Sequence, residues 1–192
     1  CVVESHDNVA HAITSGWNTL YSSSSGNGHR ASLFWRVAAN TSVGNPTITH
    51  SGGNSIIGRC AAYRGVDQLT PFDVSVAVAN SASDFTIESG ALTTITNGAW
   101  VLFTNHLADD PSTLAMTTSG GLTWTRRIFS TTTNGNDSGI GLFDTGPLTP
   151  QAVGPVVATM NTNAESSGAL LALRPAGGNV SVSYTHLRAH ET

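Results

Sequence analysis

Short apolar runs, each closed by glycine, asparagine or serine, succeed one another along this chain, and no segment carries a 3.6-residue apolar period. "CVVES", "ASLFWRVA", "SIIGRCAAYRG", "AWVLFTN", "SGIGLFD" and "GALLALRP" are of strand length. In "DVSVAVA" Val74, Val76 and Val78 alternate with other residues, as on a half-buried strand. Between the runs lie "SSSSGNGHR", "HSGGN", "TSGG" and "TTTNGND", rich in residues that accept turn conformations. About nine such runs without a helical pattern predict an all-β chain, folded as a two-sheet antiparallel β-sandwich of jelly-roll type.

The pattern also repeats. Trp17 corresponds to Trp124, Phe34 to Phe143 and Arg64 to Arg174, at offsets of 107, 109 and 110. Placed in the same way, "VVESH" (Val2 to His6) falls on "LFTNH" (Leu102 to His106). The linker between the halves, "DQLTPFDV", is brief. The expectation is one sandwich domain over 1–180, built from pseudo-repeats of about 1–66 and 72–176.

These features give a resemblance. The succession GW-x-x-L, a Ser/Gly turn, "LFWRVA", "AAYRGVD…PFD" and a closing "GALLALRPA" resembles a β-sandwich module of phage virion proteins and large secreted bacterial proteins. It extends over nearly all of Cys1 to Ala176. It implies a sandwich fold, a structural or adhesive context and a first strand of the module that this sequence lacks, and it brings no catalytic residue with it. A second resemblance concerns the other end. Val182 to Thr192, "VSYTHLRAHET", resembles one reading frame of a transposase-type sequencing adapter at every residue. Residues 181–192 are therefore expected to be a non-native tail, on a chain assembled from environmental DNA. His186 and His190 in that tail have i, i+4 spacing but no evident third ligand, so a metal site there is not expected.

Composition narrows the functional classes. Charged residues make up only 10% of the chain, the net charge is −4, and all eight basic residues are arginine. With no basic patch there is no general grip on phosphate backbones. No stretch reaches the apolar length of a membrane helix. Serine and threonine supply about a quarter of the residues, a polar but uncharged surface common in exported and virion proteins. Cys1 and Cys60 lie in apolar runs and are expected as two buried thiols rather than a disulfide.

No catalytic constellation emerges. There is no Gly-x-Ser-x-Gly elbow, and Asp84 and Glu88 stand too far apart along a strand for a glycosidase pair. His29, Arg30 and Tyr63 could serve a lyase, but no spacing selects them. Trp17 and Trp124 are expected as core anchors rather than sugar platforms. Two stretches look more functional: "ESHDNVAH" gathers Glu4, His6, Asp7 and His11, and "NHLADD" gathers His106, Asp109 and Asp110. Carboxylates and carbonyls in such loops could hold Ca²⁺. His6, Asp7, His106, Asp109 and Asp110 are therefore the candidate binding residues.

The expected function is a non-enzymatic structural or adhesive module, extracellular or on a virion, whose partners are other protein subunits or surface glycans. No cofactor is expected, Ca²⁺ being the one candidate. The first alternative is a lectin-like carbohydrate-binding module, the second a polysaccharide-active lyase or glycosidase.

Overall fold

The computed structural model of the protein describes residues 1–26, 28–39 and 43–177 in full, and the backbone of 181–188. Among the described residues there is no helix. The strands are β1 (Val2–His6), β2 (His11–Ile13), β3 (Asn18–Ser23), β4 (His29–Trp35), β5 (Ile48–His50), β6 (Ser55–Arg64), β7 (Ala77–Glu88), β8 (Leu92–Thr93), β9 (Ala99–Leu107), β10 (Leu114–Thr118), β11 (Thr125–Thr132), β12 (Ser138–Leu148), β13 (Ala152–Val153), β14 (Val157–Leu173) and β15 (Ser181–Arg188).

Eleven of them form two antiparallel sheets packed face to face, and β2 with β5 and β8 with β13 form two short two-stranded sheets. Sheet A has the order β15-β6-β1-β4-β3; sheet B has the order β10-β14-β9-β12-β11, with β7 also paired to β14. Apart from β15, sheet A is drawn from residues 2–64 and sheet B from 77–173. Val2, Ala31, Leu33 and Ile57 of sheet A meet Leu102, Ile140, Leu142, Ala169 and Leu171 of sheet B in the inner core. The outer faces are covered too. Strands β2 and β5 bring Ile13 and Ile48 onto Val3 and Phe34 of sheet A. Leu92, Leu114 and Val153 cover Phe103 and Leu170 of sheet B. Burial on both faces explains why β9 reads as an almost unbroken apolar run.

The two sheets share a ladder pattern. The orders β6-β1-β4-β3 and β14-β9-β12-β11 follow one scheme. The β3–β4 ladder shifts register between Thr19 and Tyr21, and the β11–β12 ladder shifts between Arg126 and Ile128, each position 107 residues on. Trp17 and Trp124 stand two residues before those irregularities. Val2 pairs with Leu33 and Arg59; the residue with partners 109 and 110 positions on, Leu142 and Ala169, is Thr104. Val2 therefore corresponds to Thr104 and Glu4 to His106. The placing of Val2 on Leu102 is two residues out of register, because two apolar strands aligned without their partners carry no register of their own.

Cys1 and Cys60 are joined in a disulfide, where two thiols were expected. The β1–β6 register pairs Val2 with Arg59 and so sets Cys1 opposite Cys60, a relation that a separation of 59 residues conceals. The backbone of β15 runs antiparallel to β6 at the edge of sheet A, irregular between Ser183 and Leu187. The segment expected to be adapter-derived thus lies, as far as Arg188, on a sheet edge, whose free N–H and C=O groups accept extended chain whatever its side chains. Residues 178–180 and His190 lie outside the described residues.

The closed loop makes a prediction. Reduction should lower the unfolding free energy by about 4 kcal/mol, the chain-entropy value for a loop of this length. Urea unfolding with and without reductant measures it; coincident midpoints would mean the link contributes nothing.

Candidate functional site

One end of the sandwich gathers the loops that the sequence singled out. Leu107, the last residue of β9, pairs with Gly139 near the start of β12. The His6 N–H donates to Ser138 Oγ at 3.1 Å, and Ser55 Oγ donates to the Asp137 carbonyl at 3.1 Å. Here Asp109, Asp110 and Asp137 converge, each partly buried, with one carboxylate oxygen from each within 4.8 Å of the others. Partial desolvation, then the charges of Asp137 and Asp109, raise the pKa of the Asp110 carboxyl above its ordinary value. Three carboxylates this close are a hard-oxygen set of the kind that suits Ca²⁺.

Two of the five candidates, Asp109 and Asp110, thus come together, and their third partner is one that sequence reasoning missed. Asp137 stands in the "TTTNGND" turn, with φ of 64°, and only the β9–β12 pairing brings it to the other two. Asp7 acts differently: at φ of 91° its N–H donates to the Gly28 carbonyl, and its Oδ2 accepts the Asn54 N–H at 2.9 Å, tying two loops together. His6 ends β1 opposite His29 and Ser55. His106, read from sequence as a loop residue, is fully buried within β9. Glu4 and His11, the two ends of the sequence grouping, are on opposite faces of sheet A. His11 lies over the outer face, between Ser5 and Ser32.

The inner core is polar at this same end. His29 Nδ1 lies 2.7 Å from Glu4 Oε1, and its Nε2 reaches across the sheets to Ser167 Oγ at 2.6 Å. Ser167 Oγ donates in turn to Asn80 Oδ1 at 2.5 Å, which also accepts from Ser23 Oγ at 2.8 Å. Beside this chain His106 Nδ1 lies 2.9 Å from the Val3 carbonyl, and its Nε2 lies 2.5 Å from Tyr21 Oη. A carbonyl only accepts, so Nδ1 carries the His106 proton and Tyr21 donates to Nε2; Thr104 Oγ1 at 2.7 Å completes the Tyr21 contacts. Glu4 Oε2 lies 4.0 Å from His106 Nδ1 and has no hydrogen-bond partner among the described residues.

An acid, an imidazole and a serine in this order have the connectivity of a nucleophilic triad. Glu4 and His29 are fully buried and Ser167 is 1% exposed, so no external substrate can reach the hydroxyl. Sequence reasoning missed the group because its members are 25 and 138 residues apart. The available signal was Glu4 itself, a carboxylate two residues from Val2 on the inward face of an apolar strand. The lyase candidates do not assemble. Arg30 donates to Ser22 Oγ, and Tyr63 donates to Asp144, a buried carboxylate that also accepts from Arg127 at 2.7 Å. Trp17 packs on the Val3–Phe34 cluster, and Trp124 meets the Phe103 ring edge to face, so both are half-buried anchors.

Comparison of the chain with protein-family models, curated proteins and solved structures finds no match.

The buried imidazole carries a pH dependence. Desolvation, with the neighbouring His29 acting in the same direction, lowers the His106 pKa from 6.5 to about 3, against the opposing Val3 carbonyl. The unfolded chain takes up a proton near pH 6.5 that the folded chain refuses, so this stabilisation is complete above 6.5 and lost as pH falls toward 3. Glu4 works in the opposite sense between its ordinary 4.5 and about 7, where burial raises its pKa. Comparison with His106→Gln isolates the first effect. The stability advantage of the parent protein should shrink by about 1.4 kcal/mol per pH unit between roughly pH 6 and 4. An advantage that stays constant with pH would show that His106 is not held neutral.

Proposed function

We propose that this chain is a non-enzymatic structural or adhesive β-sandwich module of a virion or of a secreted surface protein. The observation that carries the reading is the sealing of its acid–base groups. Glu4, His29, His106 and Ser167 are all buried between the sheets, with partners from the chain itself, leaving none of them open to a foreign substrate. The Cys1–Cys60 disulfide supports an oxidising location, extracellular or on a particle surface. The uncharged, hydroxyl-rich composition supports contact with protein subunits or glycans rather than nucleic acid. The repeated ladder registers and paired irregularities support a duplicated half as the origin of the sandwich.

Convergence of Asp109, Asp110 and Asp137 favours one second reading, Ca²⁺-assisted glycan binding at the loop end. None of the four tryptophans is exposed; all are half-buried. Under that reading CaCl₂ at 100 times Kd raises Tm by about 5–10 °C, and Asp109→Asn with Asp137→Asn removes the rise. A glycan array with calcium then seeks the ligand. An unshifted Tm retires the metal and leaves subunit assembly, read by light scattering, as the mode of attachment. The non-enzymatic reading itself fails if the protein releases reducing ends or unsaturated sugars from a polysaccharide panel and His29→Gln abolishes the release.

A further inference from the structure

The chain Glu4–His29–Ser167 ends on a side chain that chemistry can use. Asn80 and Ser167 are directly paired residues of β7 and β14, and the Asn80 amide oxygen lies 2.5 Å from Ser167 Oγ. A carbonyl bond is about 1.2 Å long, so Asn80 Cγ is within about 3.7 Å of that hydroxyl whichever way the amide is turned. Attack needs these atoms about 3–3.5 Å apart with the hydroxyl over the face of the amide, so the Asn80 side chain must turn from its hydrogen-bonded position to present Cγ to Oγ. A triad sealed from outside substrates is still in contact with one amide of its own chain.

We propose that Ser167 and Asn80 form an intramolecular ester between Ser167 Oγ and Asn80 Cγ, releasing ammonia and tying β7 covalently to β14. The Ser167 hydroxyl proton first turns from Asn80 Oδ1 to His29 Nε2, 2.6 Å from Oγ, which takes it as Oγ attacks Cγ. The carbonyl π pair moves onto Oδ1, where the Ser23 hydroxyl at 2.8 Å donates to the developing oxyanion. When the carbonyl re-forms, the Cγ–Nδ2 bond breaks and nitrogen leaves as ammonia with the proton from His29. The Oγ–H and Cγ–N bonds are exchanged for Oγ–Cγ and N–H bonds, with no oxidation, no water and no co-reactant.

Glu4 touches neither reacting atom; it is a positioning residue, holding His29 Nδ1 at 2.7 Å and so fixing the direction in which Nε2 faces Ser167. The surroundings suit both ends of the reaction. Ser167 and His29 are buried, which holds the nucleophile and base in place, while Asn80 is solvent-exposed, which lets ammonia leave. The chain contains no lysine, so hydroxyls are the nucleophiles available for such a cross-link. The ester spans directly opposed residues on neighbouring antiparallel strands, as the Cys1–Cys60 bridge does.

Intact mass of the full chain, reduced and denatured, tests the proposal. The parent protein should be about 17 Da lighter than its sequence, and digestion should yield a β7 peptide joined to a β14 peptide that hydroxylamine separates. Asn80→Ala, a change at an exposed position, should leave a folded protein at full sequence mass, and Ser167→Ala should restore that mass too. Glu4→Gln should slow the appearance of the lighter species while leaving the fold and the final mass unchanged, and Glu4→Asp should recover part of the rate, which a merely structural role would not do. A parent protein at its sequence mass overturns the ester. So does a loss of about 17 Da that persists in Ser167→Ala, since a local Asn80 succinimide has the same mass, and so does a gain of about 1 Da at Asn80, which is hydrolysis instead of cross-linking.

Discussion

Glu4 and His29 are taken out of water together. A carboxylate carried alone into the space between two sheets would cost several kcal/mol in lost hydration, and an imidazole with no partner would lose its hydrogen bonds. Paired at 2.7 Å, with His29 extended to Ser167, they also bind one sheet to the other. Apolar side chains such as Leu33, Leu142 and Leu171 tolerate sliding; hydrogen bonds between sheets do not. The contacts of His106 with the Val3 carbonyl and with Tyr21 add two more cross-sheet points. The polar end of the inner core therefore sets how the sheets are placed, and the apolar end supplies the burial.

That division also explains the outer layers. The central strands β1, β9 and β12 are buried on both faces, so each sheet needs a cover. Short pieces provide it: β2 with β5 over Val3 and Phe34, β8 with β13 over the Phe103 side. Little conformational freedom need be lost in such short strands to enclose an apolar face. Substitutions of Phe103 or Phe34 thus act on a different core from substitutions of Leu142, although all lie in the same two sheets.

Much of the fold was legible in the sequence because its signals are local. Alternation in "DVSVAVA", apolar runs such as "AWVLFTN" and the Gly/Asn turns report backbone geometry residue by residue. Phe34 and Phe143 stand at like positions in the β3–β4 and β11–β12 ladders, and Trp17 and Trp124 stand two residues before their irregularities, because a bulky residue marks a position. What was not legible depends on pairing. The disulfide, the convergence of Asp137 on Asp109 and Asp110, and the Glu4–His29–Ser167 chain all join residues far apart in sequence. His106 was misplaced for a related reason. A histidine near a strand end looks like a loop residue until the neighbouring strands show that the ladder runs on past it.

The register that equates Glu4 with His106 has a consequence for the midline of the molecule. These residues occupy like ladder positions in the two sheets and meet, 4.0 Å apart. Two identical halves associated about a twofold axis would set like against like there, acid facing acid or imidazole facing imidazole, each pair competing for protons. Two sheets drawn from different stretches of one chain are free of that symmetry. One side of the axis can become the acid while the other becomes a neutral base, so the seam holds complementary groups that no homodimer of either half could present.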